Sequence, residues 1–555
     1  MNLARVLVSV ALPVLPAAAQ PFINYRGVVN AASFEGPGLP AGSIAQGSIF
    51  TIFGSNLGPA QYVQSSSYPL PTLLGGVSVS VAQGSTTLAA VPILVLASQV
   101  SAIMPSNAPL GQVVVRVSYN NQTSNPAVLN VVGASPGVFS ILSTGFGPGV
   151  VQNYVSATNQ PVNTTQVTAE PKQTAILWGT GLGPVPYGDN VAPSPGNLPV
   201  HISVLVGGQP AAVAYSGRSP CCAGLDQIVF TIPASAPTGC YVPVQVSANG
   251  VVSNAVTIAI DKAGGPCTDG FNPSGAALRA GGSDGIVSAE RVDEQSDVGV
   301  DPLGEVTTDS FLADFAQQTG GTTFFNPIAS LPPLGTCTMY SGGVYDGFVS
   351  TAFFVPQGQP LDGGSALQVT SGGASESVTP TSPVPQFYES ILGQQPTPTG
   401  GSPLFFNFPG TFTLTIPGGA NVQKTQVQGT TPTPLQWTNR ASLSTTLNRA
   451  NGLTITWSGG NPATDVALIG AWANNDAANS AAMVICVAPI TAGSFTIPAE
   501  ILTTLPPTPA SAVRVPAWIG LASAPLVDPG TFSAGGLNAG FLIPSAAFIN
   551  AVVVQ

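Results

Sequence analysis

The residues able to do chemistry in this chain are few, and their spacing limits what they can do. His201 is the single histidine, so a Ser-His-Asp relay would have to be built on it. It is out of phase with Ile202, Val204 and Val206, which points it to solvent. Two G-x-S-x-G patterns occur, Gly133 to Gly137 and Gly281 to Gly285. In a chain with 64 glycines such matches arise from composition, and Pro136 bars the helix that a nucleophile elbow needs after the first. No catalytic residue is assigned.

Carboxylates are the next source of chemistry. Asp284, Glu290, Asp293, Glu294, Asp297, Asp301, Glu305, Asp309 and Asp314 crowd one stretch and suit a hard cation such as Ca²⁺. The stretch lacks EF-hand spacing and a regular Gly-Asp repeat, so it reads as a solvated acidic linker. A glycosidase pair, with carboxyls about 5 to 9 Å apart, would draw on Asp362, Glu389 or Asp465. Four of the five tryptophans, Trp437, Trp457, Trp472 and Trp518, lie in the last region, where exposed rings could stack on sugar faces. Trp457 keeps phase with Leu453 and Ile455 and belongs to a core. Trp437, between Gln436 and Thr438, is the candidate ligand contact. Trp178 aligns with Phe53 and is structural.

Six cysteines, Cys221, Cys222, Cys240, Cys267, Cys337 and Cys486, are disulfide candidates. The first four form one group with two bridges, and Cys337 with Cys486 forms a third. A bond between neighbours Cys221 and Cys222 would strain the intervening peptide, so each is expected to reach one of Cys240 and Cys267. Paired ligands at C-x-x-C-like spacing are missing, so neither zinc nor any other cofactor is expected.

The elements that position these residues announce themselves by repetition. Gly54, Leu57, Gly58 and Pro59 return as Gly179, Leu182, Gly183 and Pro184, an offset of 125. Leu70-Pro71, Gln99, Pro105 and Gly111 return 128 positions later, and Ser124-Asn125 returns as Ser253-Asn254. Such constant order implies two tandem copies of one domain. Alternation at Val77, Val79 and Val81, and again at Val113 and Val115, marks strands with one buried face. Each copy shows six or seven strands, the scale of an immunoglobulin-like sandwich. Little linker separates the copies, which predicts that they dock.

Composition agrees. Charged residues are 6% of the chain and hydrophobic residues 44%, which excludes disorder and favours short strands joined by Gly- and Pro-rich turns. The net charge of -11 with only 12 Lys and Arg excludes nucleic acid as a partner. Arg5, the apolar run Val6 to Leu12 and Ala17-Ala18-Ala19 read as a secretory signal cleaved before Gln20. No later run is long enough to span a bilayer. The expected division is signal peptide 1–19, sandwich repeats 20–134 and 135–265, an acidic lead-in 266–345 with a short helix at Asp309 to Gln318, and a C-terminal β-sandwich 346–555. A Pro/Gly-rich insertion at 379–403 reads as a long loop.

The segments Gly27-Val-Val-Asn-Ala-Ala-Ser-Phe34, Gly47 to Gly58 and Pro69 to Val79 resemble an uncharacterised extracellular domain family of secreted acidobacterial proteins. That family is similar to the IPT/TIG fold, whose first strand also ends in a Gly-x-x-Leu-Gly turn. The resemblance covers residues 24 to about 262 as two copies; the second lacks the Asn-Ala-Ala-Ser lead and gains cysteines. It implies fold and location and carries no catalytic residue.

The expectation is therefore an all-β, secreted, non-enzymatic binding or adhesion protein, in which two immunoglobulin-like spacers present a C-terminal sandwich to a polysaccharide or a cell-surface protein. A polysaccharide-acting enzyme and a structural surface-layer component are the alternatives.

Overall fold

The computed structural model describes residues 20–296, 304–327, 329–342, 358–381, 387–396, 402–478, 480–508 and 517–555. The signal-peptide reading of residues 1–19 and the strand expected at Thr351 to Val355 lie outside them.

Repeat one is a sandwich of two antiparallel sheets. Phe22–Asn30, Ile49–Ser55 and Gln99–Ile103 build one; Val77–Gln83, Gly111–Tyr119 and Ala127–Val132 build the other. The valines that alternate in sequence face inward, Val77, Val79, Val81, Val113 and Val115 all meeting Phe50 and Ile52 in one core. Thr86–Leu96 serves both sheets, with a bulge between Pro92 and Leu94, where proline withholds a ladder N–H and lets the strand bend. Repeat two has the same plan. Thr174–Thr180 pairs with Asp226–Thr231, and Ile202–Val206 and Val256–Ile260 flank Gly239–Ala248. Its shared strand, Gln209–Arg218, bulges between Val213 and Tyr215.

The Ser-Asn landmark has a structural purpose in both copies. Ser124 Oγ accepts from Val117 N–H at 3.0 Å, while Asn125 exchanges two bonds with the Ile23 backbone at 2.7 and 3.0 Å. Ser253 and Asn254 do the same to Val246 and Val138, at 3.0, 2.8 and 2.9 Å. The asparagine amide imitates a peptide group and closes the first strand onto the sandwich.

The remaining chain forms a twelve-stranded sheet with two small sheets stacked on one face. Its main path runs Thr336–Gly342, Ser480–Pro489, Val466–Asn475, Ala517–Ala524, Ser545–Val554, Gly282–Ser296 and Gly304–Gln318. A four-stranded sheet contributes Phe412 and Leu414 to a core with Phe311, Phe315 and Tyr388. A three-stranded sheet packs Ile455 and Trp457 on Ile469, Ala471 and Ile519.

Three expectations change here. Asp309 to Gln318 is strand, within a hairpin whose arms are Gly282–Ser296 and Gly304–Gln318. The described part of the acidic stretch is therefore sheet, not solvated linker; Asp297 and Asp301 lie outside the described residues. Phe311, Leu312 and Phe315 fit a helical face, but Phe311, Ala313 and Phe315 fit a strand face equally well, and pairing across the hairpin decides. Asp309 is no cap: it is fully buried against Arg291, 2.7 and 2.8 Å from the guanidinium. The helix of this region is Pro273–Ala280, capped by Asn272. Finally, Phe387–Gln395, inside the expected loop 379–403, is a strand paired with Gly304–Gln318.

The cysteine pairing also differs. Cys337 and Cys486 face each other on neighbouring strands and are bonded, as expected. Cys240 bonds Cys267, and Cys221 bonds Cys222. Cys240 and Cys267 pack with Tyr340 and Phe325 beside the large sheet, whereas the turn of Cys221 and Cys222 lies against Tyr68 of repeat one. The two pairs occupy different seams of repeat two, which leaves the neighbours only each other.

Both repeats dock on the large sheet. Arg26 donates to Ala477 and Ala478 carbonyls at 2.6 and 2.8 Å, and Leu39 enters the core of Trp437 and Trp457. Glu35 is buried there and accepts from Ser341 Oγ at 3.0 Å. Repeat two meets the sheet through Phe146, Tyr241, Phe325 and Tyr340, rings packed at 5.5 to 6.1 Å.

Candidate functional site

The hairpin separates its charges by face, because paired residues share a side of the sheet. On the core side, Arg291 neutralises Asp309 and Arg440 neutralises Asp293, both at 2.7 Å. On the other side stand Asp284, Glu290, Glu294 and Asp314, joined from the next strand by Glu389, which pairs with Leu312. Among the described residues of these three strands Arg291 is the single base, and it faces away.

Burial without a counter-charge makes these carboxyls weak acids. Burial raises Asp284 to about 7, opposed by a hydrogen bond with Gln318. Asp314, diagonal to it, is pushed to about 7 by burial and then by the Asp284 charge. Glu290 and Glu294 are also raised, chiefly by burial. Asp284 is 5% exposed, and its Oδ1 has no hydrogen-bond partner.

The same face continues across the sheet. Glu294 pairs with Ile549, Ile549 with Gly520 and Gly520 with Gly470. Beside this row Trp518 pairs with Trp472, both half-buried; Trp472 continues through Met483 to Tyr340 and packs against the aromatic cluster where repeat two docks, which leaves Trp518 as the indole beyond that contact. Gly470 leaves a low floor beside Trp472, where a Cβ would meet nothing nearer than Val484 O at 3.7 Å, whereas the Ile549 side chain covers Gly520, with Cγ2 3.0 Å from where a Cβ would stand. An apolar ring beside a carboxylate is what a sugar needs: a surface for its C–H face and acceptors for its hydroxyls.

The other expected positions fall elsewhere. Trp437, the expected ligand contact, is 7% exposed and pairs with Trp457 inside the core. Its neighbours Gln436 and Thr438 face out because a strand alternates. Asp362 caps a turn, accepting from Gly364 and Ala420 N–H groups, which hold its carboxyl below the usual range. Asp465 is buried at the end of a cleft of about 470 Å³ that Asp269 also lines. Both are occupied: Asp465 accepts from Asn461 N–H and Thr464 Oγ1, and Asp269 from Cys240 N–H and Arg279. Asp362, Glu389 and Asp465 thus stand on separate elements. His201 is exposed, as expected. In the G-x-S-x-G patterns, Ser135 donates to Ala41 O at 3.0 Å and Ser283 to Asn538 Oδ1 at 2.9 Å, structural bonds in each case. Among the described residues no three His, Cys, Asp or Glu side chains gather as a metal ion requires.

What the sequence reading missed is the aromatic and acidic face itself. Its signal was the alternation Asp284, Ile286, Ser288, Glu290 against Phe311, Ala313, Phe315, legible only once the two segments are paired.

No protein-family profile matches the chain, and no curated protein matches it. Among solved structures it is similar to SGBP-B from a complex xyloglucan utilization locus in Bacteroides uniformis (13% identity, 67% of this chain and 86% of that one, TM-score 0.15). It is also similar to Sidekick-1 immunoglobulin domains 1–4 (10%, 97% and 99%, TM-score 0.12). A third is the S-layer protein SbsC, domains 5–6 (13%, 43% and 98%, TM-score 0.16). TM-scores this low assign neither a fold family nor a function. The all-β architecture of tandem immunoglobulin-like sandwiches rests on the sheets described above. Among the described residues no helix is long and apolar enough to cross a membrane.

Proposed function

We propose that this is a secreted, non-enzymatic binding protein whose repeats, two IPT/TIG-like domains of the acidobacterial type, brace a C-terminal sheet that takes a polysaccharide. The observation supporting this is a sheet face that carries the half-buried Trp518 indole and, beyond one intervening strand, carboxyls with no cation. Among the described residues of the hairpin and Phe387–Gln395 no base faces this side to hold an anionic polymer, so the ligand is a neutral polysaccharide. Three disulfides favour an oxidising, extracellular setting.

A second reading has one observation behind it. Asp284 and Asp314, neighbours across the hairpin and both near 7, are the carboxyls whose proton could be shared in glycoside cleavage. One experiment separates the readings: the full chain is incubated with insoluble and soluble polysaccharides, and bound protein and released sugar are assayed together. The full chain is required because Arg26, Glu35 and Leu39 of repeat one are built into the C-terminal region. Retention without release is the expected result. Release would establish the enzyme, and silence in both assays would overturn polysaccharide binding in favour of protein adhesion or surface assembly.

A further inference from the structure

The three disulfides differ in access. Cys240 is 2% and Cys486 0% exposed and their partners Cys267 and Cys337 are half-buried, whereas Cys221 and Cys222 both lie open to solvent. Their turn is closed by Ser219, whose N–H donates to Leu225 O at 2.9 Å and whose Oγ accepts from Cys222 N–H at 3.0 Å. It is also the piece of repeat two that grips repeat one. Tyr68 Oη donates to Cys221 O at 3.2 Å and accepts from Ala223 N–H at 2.9 Å. Thr180 Oγ1 donates to Gly224 O at 2.7 Å and accepts from Ile49 N–H at 2.8 Å. Ala223 packs on Ile49, Leu70 and Ile103. Next to these, Leu70 N–H donates to Asn190 O at 2.7 Å, a further bond across the seam.

We propose that Cys221–Cys222 is a reversible redox site, reduced by an external dithiol, and that its reduction loosens the seam between the repeats. A donor thiolate attacks Cys222 Sγ; the S–S bond breaks, a mixed disulfide forms, and Cys221 leaves as thiolate. Ser219 Oγ, which donates to Cys222 O at 3.2 Å, lies 3.5 Å from Cys221 Sγ, and its hydroxyl rotates to hydrogen-bond the departing sulfur. The donor's second thiol then attacks its own sulfur in the mixed disulfide and releases Cys222. The donor ends as a disulfide; two electrons and two protons end on the cysteines as thiols. Opening the ring returns rotational freedom to the peptide carrying the Cys221 carbonyl that Tyr68 holds, so the grip on repeat one weakens. In the other two bridges one sulfur is buried and the other half-buried, which slows the same attack.

The test uses the full oxidised chain under native conditions with graded dithiothreitol. Thiols are trapped with N-ethylmaleimide and mapped by mass spectrometry, and hydrogen exchange is followed at the Leu70 and Ile49 amides. Cys221 and Cys222 are expected to label at a dithiol concentration about tenfold or more below that needed for the other four. Exchange at the two amides should rise about tenfold in step with that labelling. Simultaneous labelling of all six cysteines, or selective reduction without faster exchange, overturns the proposal. The double variant Cys221→Ser, Cys222→Ser should exchange rapidly without dithiol and respond no further. Exchange matching oxidised wild type would equally overturn it.

Discussion

In repeat one the turn Gly54 to Pro59 is held by main chain: Gly54 N–H donates to Ser98 O at 3.0 Å and Leu57 N–H to Ala97 O at 2.9 Å. In repeat two the matching turn, Gly179 to Pro184, is held by side chains. Leu182 N–H donates to Asp226 at 2.8 Å, and Arg218, paired with Asp226 at 2.7 Å, donates to Gly183 O at 2.8 Å. Leu57 and Leu182 are equally buried. A repeated landmark therefore records a backbone shape, and the means of holding it differ. Ser124-Asn125 and Ser253-Asn254 show the other case, in which the same atoms make the same bonds in both copies.

The largest effect should come from breaking the ion pair. Asp226→Ala leaves Arg218 buried without a counter-charge and is expected to cost about 3–5 kcal/mol, read by denaturant unfolding. Ser98→Ala at the matching position of repeat one should change stability by less than about 0.5 kcal/mol, because Ser98 is exposed and contributes only its carbonyl. Equal losses in the two variants would end the contrast.

Buried acids sharpen it further. Glu35 of repeat one has no cation, and burial raises it from 4.5 to about 7. Its folded pKa exceeds its unfolded one, so its contribution is complete below about 4.5 and is lost as pH rises through about 7. Asp284 and Asp314 act in the same direction. The unfolding free energy should be larger at pH 5 than at pH 8, and Glu35→Gln should shrink that difference by an amount on the order of 2–3 kcal/mol. A pH difference unaltered by Glu35→Gln would contradict the assignment.

The asparagine latches should be worth less. Asn125→Ala and Asn254→Ala are each expected to cost about 1–3 kcal/mol. Asn254 should cost more, because it is 1% exposed and also donates to Gly145 O at 2.6 Å. At the small end, His201→Ala should leave stability unchanged within about 0.5 kcal/mol.

The legible parts of this molecule are those written in local pattern. The constant offsets revealed two sandwiches, and the valine alternation in repeat one located its buried faces. Trp457 kept phase with its neighbours and is core. The misread parts depend on pairing between distant segments. Asp309 resembles a helix cap until Arg291 stands opposite it. Trp437 resembles a loop residue until Trp457 pairs with it. Cys221 and Cys222 resemble partners for Cys240 and Cys267 until the two pairs are seen at different seams. The acidic face of the sheet collects side chains from three strands, and spacing within any one of them does not reveal it.

Affinity electrophoresis of the full chain through gels containing a neutral polysaccharide, with wild type, Trp518→Ala and Trp437→Phe run side by side, tests whether the Trp518 face holds the sugar. Wild type and Trp437→Phe are expected to be retarded alike while Trp518→Ala runs free. Equal retardation of all three, or retardation lost only in Trp437→Phe, would contradict it.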